Sequence, residues 1–186
     1  MKKLVFVMMA MLLASGAVFA ESAKGVSQKR DMAITWNPLS LLGLTLAGSY
    51  GIALHEKVAL IVPLGLTYVN AGVKTDTGSS SSYLFGIQSG LGARFYLSGA
   101  AFQDGLYIQP NASIGWLKFG SSGGSSLTLG ANALFGYSWV WDSGFMMNLA
   151  GGAGYVYSSI GTDSNAGALK IDGILPALEF AIGYAW

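Results

Sequence analysis

The chain contains no cysteine, a single histidine and few charged residues. The absence of cysteine excludes a disulfide framework, a thiol nucleophile and a cysteine metal site. One histidine with dispersed carboxylates does not supply the ligands of a common metal site, so we expect no metal and no cofactor. Charged residues make up 10% of the chain, whereas a soluble domain carries about a quarter. Water is therefore a poor solvent for most of the surface that this chain would form.

The net charge is close to zero. The formal charge of +1 becomes −1 once Lys2 and Lys3 are removed with the N-terminal segment described next. Neither value indicates a nucleic acid or an acidic substrate as a partner.

The N-terminus has the three parts of a secretory signal. Lys2 and Lys3 form a positive region, "LVFVMMAMLLASGAV" is an apolar core, and "VFA" supplies small residues up to Ala20. A retained membrane anchor is the alternative, but the apolar stretch is short and a polar segment follows it. We predict a signal peptide over residues 1–20, a polar periplasmic lead-in over 21–30 and one domain over 31–186.

Large side chains alternate with small or polar ones along most of this domain. The stretch from Met32 to Leu54 is uncharged and long enough to cross a bilayer as a helix. Its period is two rather than 3.6, because large residues occupy alternate positions for thirteen residues. The large residues are Leu42, Leu44, Leu46, Tyr50, Ile52 and Leu54. Glycines recur between them, and each is unfavourable in a helix by roughly 1 kcal/mol relative to alanine. The pattern favours a strand over a transmembrane helix.

The same alternation returns along the chain and predicts eight strands. The connections "HEK", "SGAAFQD" and "DSG" are brief or compact, whereas "KTDTGSSSS", "GSSGGSS" and "GTDSNAGA" are longer. Short periplasmic turns opposite longer extracellular loops are typical of outer-membrane barrels, whose lipid-facing side chains are apolar. We therefore predict an all-β, eight-stranded antiparallel transmembrane β-barrel in a Gram-negative outer membrane, with both termini in the periplasm. A soluble sandwich is the alternative.

Aromatic residues cluster near the two ends of the predicted strands, as expected for the girdles at the two membrane interfaces. The residues that we assign to the lipid interface are Trp36, Trp116, Lys118, Trp139, Trp141, Tyr184 and Trp186. Lys118 follows Trp116 at the extracellular end, where its amine could reach a lipopolysaccharide phosphate. An ordinary solvated strand end is the other interpretation of Lys118.

The chain ends on "LEFAIGYAW", in which large residues alternate up to the last position. Lipid offers no hydrogen bonds, so the last strand must pair with the first and close the barrel. The terminus also resembles the C-terminal insertion signal that the barrel assembly machinery of Gram-negative bacteria recognises. That resemblance implies this machinery as a transient partner and Phe180, Ile182, Tyr184 and Trp186 as the signal.

Three segments, "NPLSLLGLTLAGSYGIAL", "LGARFYLSG" and "GLYIQPNASIGW", resemble an uncharacterised family of small bacterial outer-membrane barrels. The resemblance covers most of residues 32–186. It implies a fold and a compartment, and it implies no activity.

Two charged residues have the parity that points into the barrel, Arg94 and Glu179. An unpaired charge there would be costly, whereas a hydrogen-bonded pair is tolerated. We predict an interior polar network formed by Arg94, Glu179, Gln88, Gln109, Asn111, Asn132 and Asn148. The alternative is that each of them is solvated separately near a barrel mouth. The lumen of an eight-stranded barrel is either filled by side chains or holds one small ligand.

No catalytic residue is predicted. Some small outer-membrane barrels modify lipid A or phospholipids with a histidine, a serine and an acid, but His55 lies in the turn "LHEK" at the predicted periplasmic end. We predict a non-enzymatic structural or surface-interaction role with outer-membrane lipid, lipopolysaccharide or extracellular contacts. A narrow channel or carrier for a small molecule, hydrophobic ones included, is the second hypothesis, and a lipid-modifying enzyme is the third. The sequence predicts no ligand and no oligomeric state.

Overall fold

The computed structural model describes residues 29–75, 78–120, 124–161 and 169–186. The predicted signal peptide and residues 21–28 of the predicted lead-in lie outside the described residues. No helix in the described part of the chain has the length and apolar character needed to span a membrane.

Eight antiparallel strands pair in sequence order and close into one barrel. They are β1 (Met32–Asn37), β2 (Thr45–His55), β3 (Val58–Thr75), β4 (Gly78–Tyr96), β5 (Gly105–Phe119), β6 (Ser125–Val140), β7 (Phe145–Gly161) and β8 (Leu169–Ala185). A short 3₁₀ helix, Pro38–Gly43, connects β1 to β2. The predicted eight-stranded antiparallel barrel is confirmed. Asp31 and Trp186 lie together at what we call the terminal end of the barrel, and the opposite end is the distal end.

The large and the small or polar residues that alternate in the sequence lie on opposite faces of the barrel wall. In β6, Leu134 is 7% exposed whereas its neighbour Phe135 is 54% exposed, and the same alternation is found in the other strands. Exposed large apolar residues on the outer face include Ile34, Leu64, Ile87, Leu91, Ile114, Leu129, Leu149 and Leu178. So large an apolar surface is suited to lipid and not to water. The barrel is therefore a transmembrane barrel.

Two distal connections differ from the sequence prediction. β3 and β4 continue through most of the serine-rich segment "KTDTGSSSS", and Thr75 pairs with Gly78, so only residues 76–77 connect the two strands. Ladder hydrogen bonds use the backbone alone, so a polar, serine-rich composition does not prevent strand pairing. In the segment "NPLSLLG", the Asn37 side chain accepts a hydrogen bond from the Leu39 N–H at 3.0 Å and caps the 3₁₀ helix. As a result β2 begins at Thr45 rather than at Leu42.

The ladder between β1 and β8 is the shortest in the barrel and ends at Trp36 and Ile182. Met32 and Trp186 form two backbone hydrogen bonds with each other. In an antiparallel ladder such hydrogen-bonded pairs recur at every second residue, here towards the distal end. Continuing that pattern past Trp36 reaches Pro38, which has no N–H to donate. On β8, the residues that share the parity of Trp186 direct their N–H groups towards β1. Pro176 is one of them, and as a proline it has no N–H to donate. Pro38, the first residue of the 3₁₀ helix, explains why the ladder stops there, and Pro176 removes a further donor beyond that point.

Candidate functional site in the barrel interior

The interior contains an ion pair that crosses the lumen. Arg94 on β4 and Glu179 on β8 stand on opposite walls, and the Arg94 Nη2 lies 3.4 Å from the Glu179 Oε1. The Arg94 side chain is 2% exposed and the Glu179 side chain is 20% exposed. A buried charge is tolerated only when it has a partner and further hydrogen bonds. This pair therefore links two walls that share no backbone hydrogen bonds.

Arg94 has two further partners on β5. Its Nε donates a hydrogen bond to the Gln109 Oε1 at 2.6 Å, and its guanidinium carbon lies 4.1 Å from the centroid of the Tyr107 ring. The Tyr107 hydroxyl donates to the same Glu179 oxygen at 3.4 Å. A cation over an aromatic face gains further attraction when both are removed from water. The guanidinium is thus held by an acid, an amide and a ring at once.

A row of amides continues from Gln109 towards β6. The Gln109 Nε2 donates to the Asn111 Oδ1 at 2.9 Å, and the Asn111 Nδ2 donates to the Asn132 Oδ1 at 2.7 Å. Asn111 and Asn132 are directly opposite in the β5–β6 register. Across the other edge of β5, Asn111 faces Gly92, where an added Cβ would meet the Asn111 Oδ1. The glycine therefore leaves room for this amide in its present position.

Two members of the predicted interior network do not join this row. Asn148 is fully buried near the terminal end, where its Oδ1 accepts a hydrogen bond from the Ser138 hydroxyl at 2.7 Å. The Asn148 Nδ2 is buried without a hydrogen-bond partner among the described residues. Gln88 lies towards the distal end with an exposed side chain, and no hydrogen bond joins it to another described side chain. The structure thus brings Arg94, Glu179, Gln109, Asn111 and Asn132 together.

The terminal half of the lumen is filled by large side chains. Those buried to 3% exposure or less include Ile61, Arg94, Tyr96, Phe102, Tyr107 and Met146. The Tyr96 ring makes an edge contact with Phe102 and a tilted contact with Tyr107, at centroid distances of 6.4 and 6.2 Å. Close packing of this kind leaves no room for a passage. The lumen is therefore closed at the terminal end.

Sequence reasoning missed Phe102. It lies in the connection of residues 97–104, which was predicted only as a compact turn, and that connection folds inward over the barrel mouth. The Ala101 N–H donates to the Glu56 carbonyl at 2.7 Å, and the Asp104 carboxylate accepts from the Val140 N–H. A Cβ at Gly51 would lie 2.8 Å from the Phe102 ring, so this glycine makes space for it. An aromatic residue within an otherwise small and polar turn is the signal that could have indicated this role.

The predicted interface residues occupy the outer face or the rims of the barrel. Trp116 and Lys118 lie towards the distal end, with Trp116 in an edge contact with Phe85 at 6.4 Å. At the terminal end, three further pairs of rings are in contact: Tyr137 with Trp139, Trp141 with Phe145, and Tyr184 with Trp186. The Trp36 indole nitrogen is buried without a hydrogen-bond partner in the part of the chain that the structure describes. The assignment of these residues to a lipid interface stays a prediction.

Phe180, Ile182, Tyr184 and Trp186, the predicted assembly signal, share the parity of the outer face of β8. The backbone of Trp186 bonds to β1, because its carbonyl accepts from the Asp31 and Met32 N–H groups and its own N–H donates to the Met32 carbonyl. The last residue therefore takes part in closing the barrel.

Among the described residues, no group of three or more acidic, histidine or cysteine side chains is placed to hold a metal ion. His55 is the last residue of β2, and its side chain is exposed at the terminal end.

No family model matches the chain, and no curated protein matches it in sequence. Among solved structures, the chain is similar to the crystal structure of Ail, the attachment invasion locus protein of Yersinia pestis. The sequence identity is 13%, the TM-score is 0.41, and the similarity covers 86% of this chain and 100% of that one. A similarity at this level carries no inference, so the functional proposal rests on the geometry above.

Proposed function

We propose that this protein is a non-enzymatic barrel of a Gram-negative outer membrane, with a structural or surface-contact role and its terminal end in the periplasm. The closed sheet and its apolar outer face support an outer-membrane location, because barrels of this kind cross the bilayer without unpaired backbone groups. The compact connections at the terminal end support a periplasmic position for that end.

The observation that carries the proposal is the filled terminal half of the lumen. Tyr96, Phe102, Tyr107 and Met146 are each 3% exposed or less and fill the terminal half of the lumen. A barrel that is filled in this way is suited to act through the surfaces that it presents to lipid and to the cell exterior. In addition, with the terminal end in the periplasm as proposed, the exposed His55 would lie opposite the outer-leaflet lipid that a lipid-modifying barrel would attack. This placement argues against the enzymatic hypothesis.

The distal rim offers a contact for lipopolysaccharide. Lys118 is exposed on the outer face, beside the Phe85 and Trp116 rings, and no ion pair joins it to another described residue. An amine just beyond an aromatic girdle lies at the level of the headgroups, where phosphate is the available anion. We propose that Lys118 binds a lipopolysaccharide phosphate.

We expect Lys118→Glu to weaken binding of lipopolysaccharide to the purified barrel by about fivefold or more, because one cation near an anionic surface contributes on this scale. Lys118→Arg keeps the charge and should bind as the wild type does. The measurement is a titration with lipopolysaccharide at two salt concentrations. Equal binding by Lys118→Glu and the wild type would leave Lys118 as an ordinary solvated residue.

Two variants at Trp186 test the location and the assembly partner. Deleting Trp186 removes its three backbone hydrogen bonds to the N-terminal segment as well as the ring, whereas Trp186→Ala removes the ring alone. On a denaturing gel of the outer-membrane fraction, we expect the wild type to change mobility on boiling and the deletion variant to show no such species. Trp186→Ala should fold in detergent after purification but accumulate poorly in the outer membrane, because it lacks the last ring of the assembly signal that we propose. Wild-type protein recovered in the inner membrane without a mobility change would overturn the proposed location.

A further inference from the structure

The distal half of the lumen is built differently from the terminal half. Its inward positions are held largely by small residues, and they leave a cavity of about 290 Å³. The side chains that line it include Thr45, Thr67, Gln88, Thr128, Leu84 and Leu117. A volume of this size lies at the lower limit for small-molecule pockets. The cavity is therefore suited to one small ligand.

The lining indicates the chemistry of that ligand. None of the described residues that line the cavity carries a charge, so an ionised ligand would find no charged partner among them. Thr45 and Thr67 are already bonded to each other at 2.7 Å. Gln88 has no described side-chain partner, so its amide is able to bond to a ligand. Together with the two leucines, this amide suits an uncharged molecule with an apolar chain and one polar group.

The described lining of the cavity comes from β2 to β6 and, at one edge, from the 3₁₀ helix that follows β1. Gly43, the last residue of the 3₁₀ helix, lines the cavity, and the helix stands where the ladder has ended. Exposed apolar side chains lie on both sides of this interruption: Leu42 and Leu44 at 85% and 59%, and Ile174 and Leu178 at 78% and 76%. This surface continues the apolar outer face of the barrel. A molecule dissolved in the bilayer therefore reaches the interruption without crossing a polar barrier.

We propose that the distal half of the lumen binds a small uncharged amphiphile, with an apolar chain and a hydroxyl or carbonyl group, that enters from the bilayer between the 3₁₀ helix and β8. The Gln88 amide bonds to its polar group, and Leu84 and Leu117 contact its chain. The filled terminal half lies below the site, so the molecule is bound rather than conducted. This goes beyond the surface role, which does not depend on an occupied lumen.

A pair of glycine variants tests the site with 1-decanol as the probe. The three atoms nearest to a Cβ at Gly115, which lines the cavity, belong to the Gln88 and Thr128 side chains and the Ile87 carbonyl and lie at 3.4 to 3.9 Å, an ordinary contact distance. A Cβ at Gly151, on the outer face, meets only Leu178 at 3.7 Å. Gly115→Leu should therefore fill the cavity, whereas Gly151→Leu makes the same change outside it.

In lipid nanodiscs, we expect 1-decanol to raise the temperature of heat-induced unfolding of the wild type and of Gly151→Leu, but not of Gly115→Leu. An equal response of all three proteins would mean that decanol acts through the bilayer, which overturns the proposal. Should Gly115→Leu fail to fold, Gln88→Leu supplies a second test. Loss of one hydrogen bond should weaken binding about fivefold to tenfold, and unchanged binding by this variant contradicts the site.

The route of entry is tested with Ser113→Cys, which places a thiol in the cavity of a chain that has no other cysteine. An uncharged maleimide with an alkyl chain should react with this thiol at least about tenfold faster than a sulfonated one. Ser125→Cys, exposed on the outer face at the distal rim, should react with both reagents. Faster reaction of Ser113→Cys with the sulfonated reagent would place the entrance at the aqueous distal mouth and overturn the lateral route. About tenfold protection of Cys at position 113 by decanol at ten times its Kd follows from mass action.

Discussion

Arg94→Leu should destabilise the barrel by about 3–5 kcal/mol, because it leaves the Glu179 carboxylate in the lumen without its cation. The substitution also removes the donor to Gln109 and the cation over the Tyr107 ring. Unfolding by guanidinium in detergent micelles, followed by tryptophan fluorescence, would measure the loss.

The double variant Arg94→Leu with Glu179→Leu separates the loss of a pair from the loss of packing. Both charges are then absent, and apolar side chains of similar volume take their place. Replacing a buried ion pair in this way is often close to neutral. We therefore expect the double variant to recover most of the lost stability. Losses that simply add in the double variant would show that Arg94 and Glu179 are not coupled.

Phe102→Ala should cost about 3–5 kcal/mol, the usual range when a buried aromatic side chain is removed and its cavity is left behind. Phe102 is 1% exposed and contacts the Tyr96 ring inside the mouth of the barrel. Its backbone φ of 56° lies in the left-handed region, which is unfavourable for phenylalanine and alanine alike, so the substitution removes the ring without relieving the backbone. Equilibrium unfolding again measures the effect.

Phe102→Leu is the matched control for this substitution, because it keeps most of the apolar volume and should lose far less stability than Phe102→Ala. If alanine and leucine at this position give the same small loss, the connection of residues 97–104 does not hold the terminal end closed. A large loss of stability in Phe102→Ala, but not in Phe102→Leu, would show that the volume of the side chain keeps the terminal end closed.

The strands of the barrel could be predicted from the sequence, but not all of their ends. Large apolar side chains recur at every second position because one face of each strand meets lipid and the other meets the lumen. This holds for every strand inside the membrane. Beyond the membrane the contrast is weaker, so the serine-rich residues between Lys74 and Tyr83 gave no sign that the β3–β4 ladder continues. The late start of β2 at Thr45 depends on the Asn37 cap and on Pro38, which alternation does not describe.

The sequence predicts which polar residues face the barrel interior, but it does not predict which of them contact each other. Parity indicates which side chains point inward, whereas their partners depend on strand register and on distances across the lumen. The β6–β7 register places Asn148 opposite Ser138, away from Arg94. The contact of Arg94 with Glu179 joins two strands that are not neighbours, and no local pattern encodes such a contact. Phe102 was missed because a turn has no periodicity from which burial can be inferred.

The short ladder between β1 and β8 has a consequence for the order in which the molecule forms and opens. Its four residue pairs join the two segments that are farthest apart along the chain, whereas all other ladders join consecutive strands. Contacts between distant segments form late in folding, because the entropy of closing the loop must be overcome first. Few hydrogen bonds then protect the junction, so local opening requires less free energy there than elsewhere in the wall. We therefore expect the β1–β8 junction to form last when the barrel folds and to open first when it unfolds.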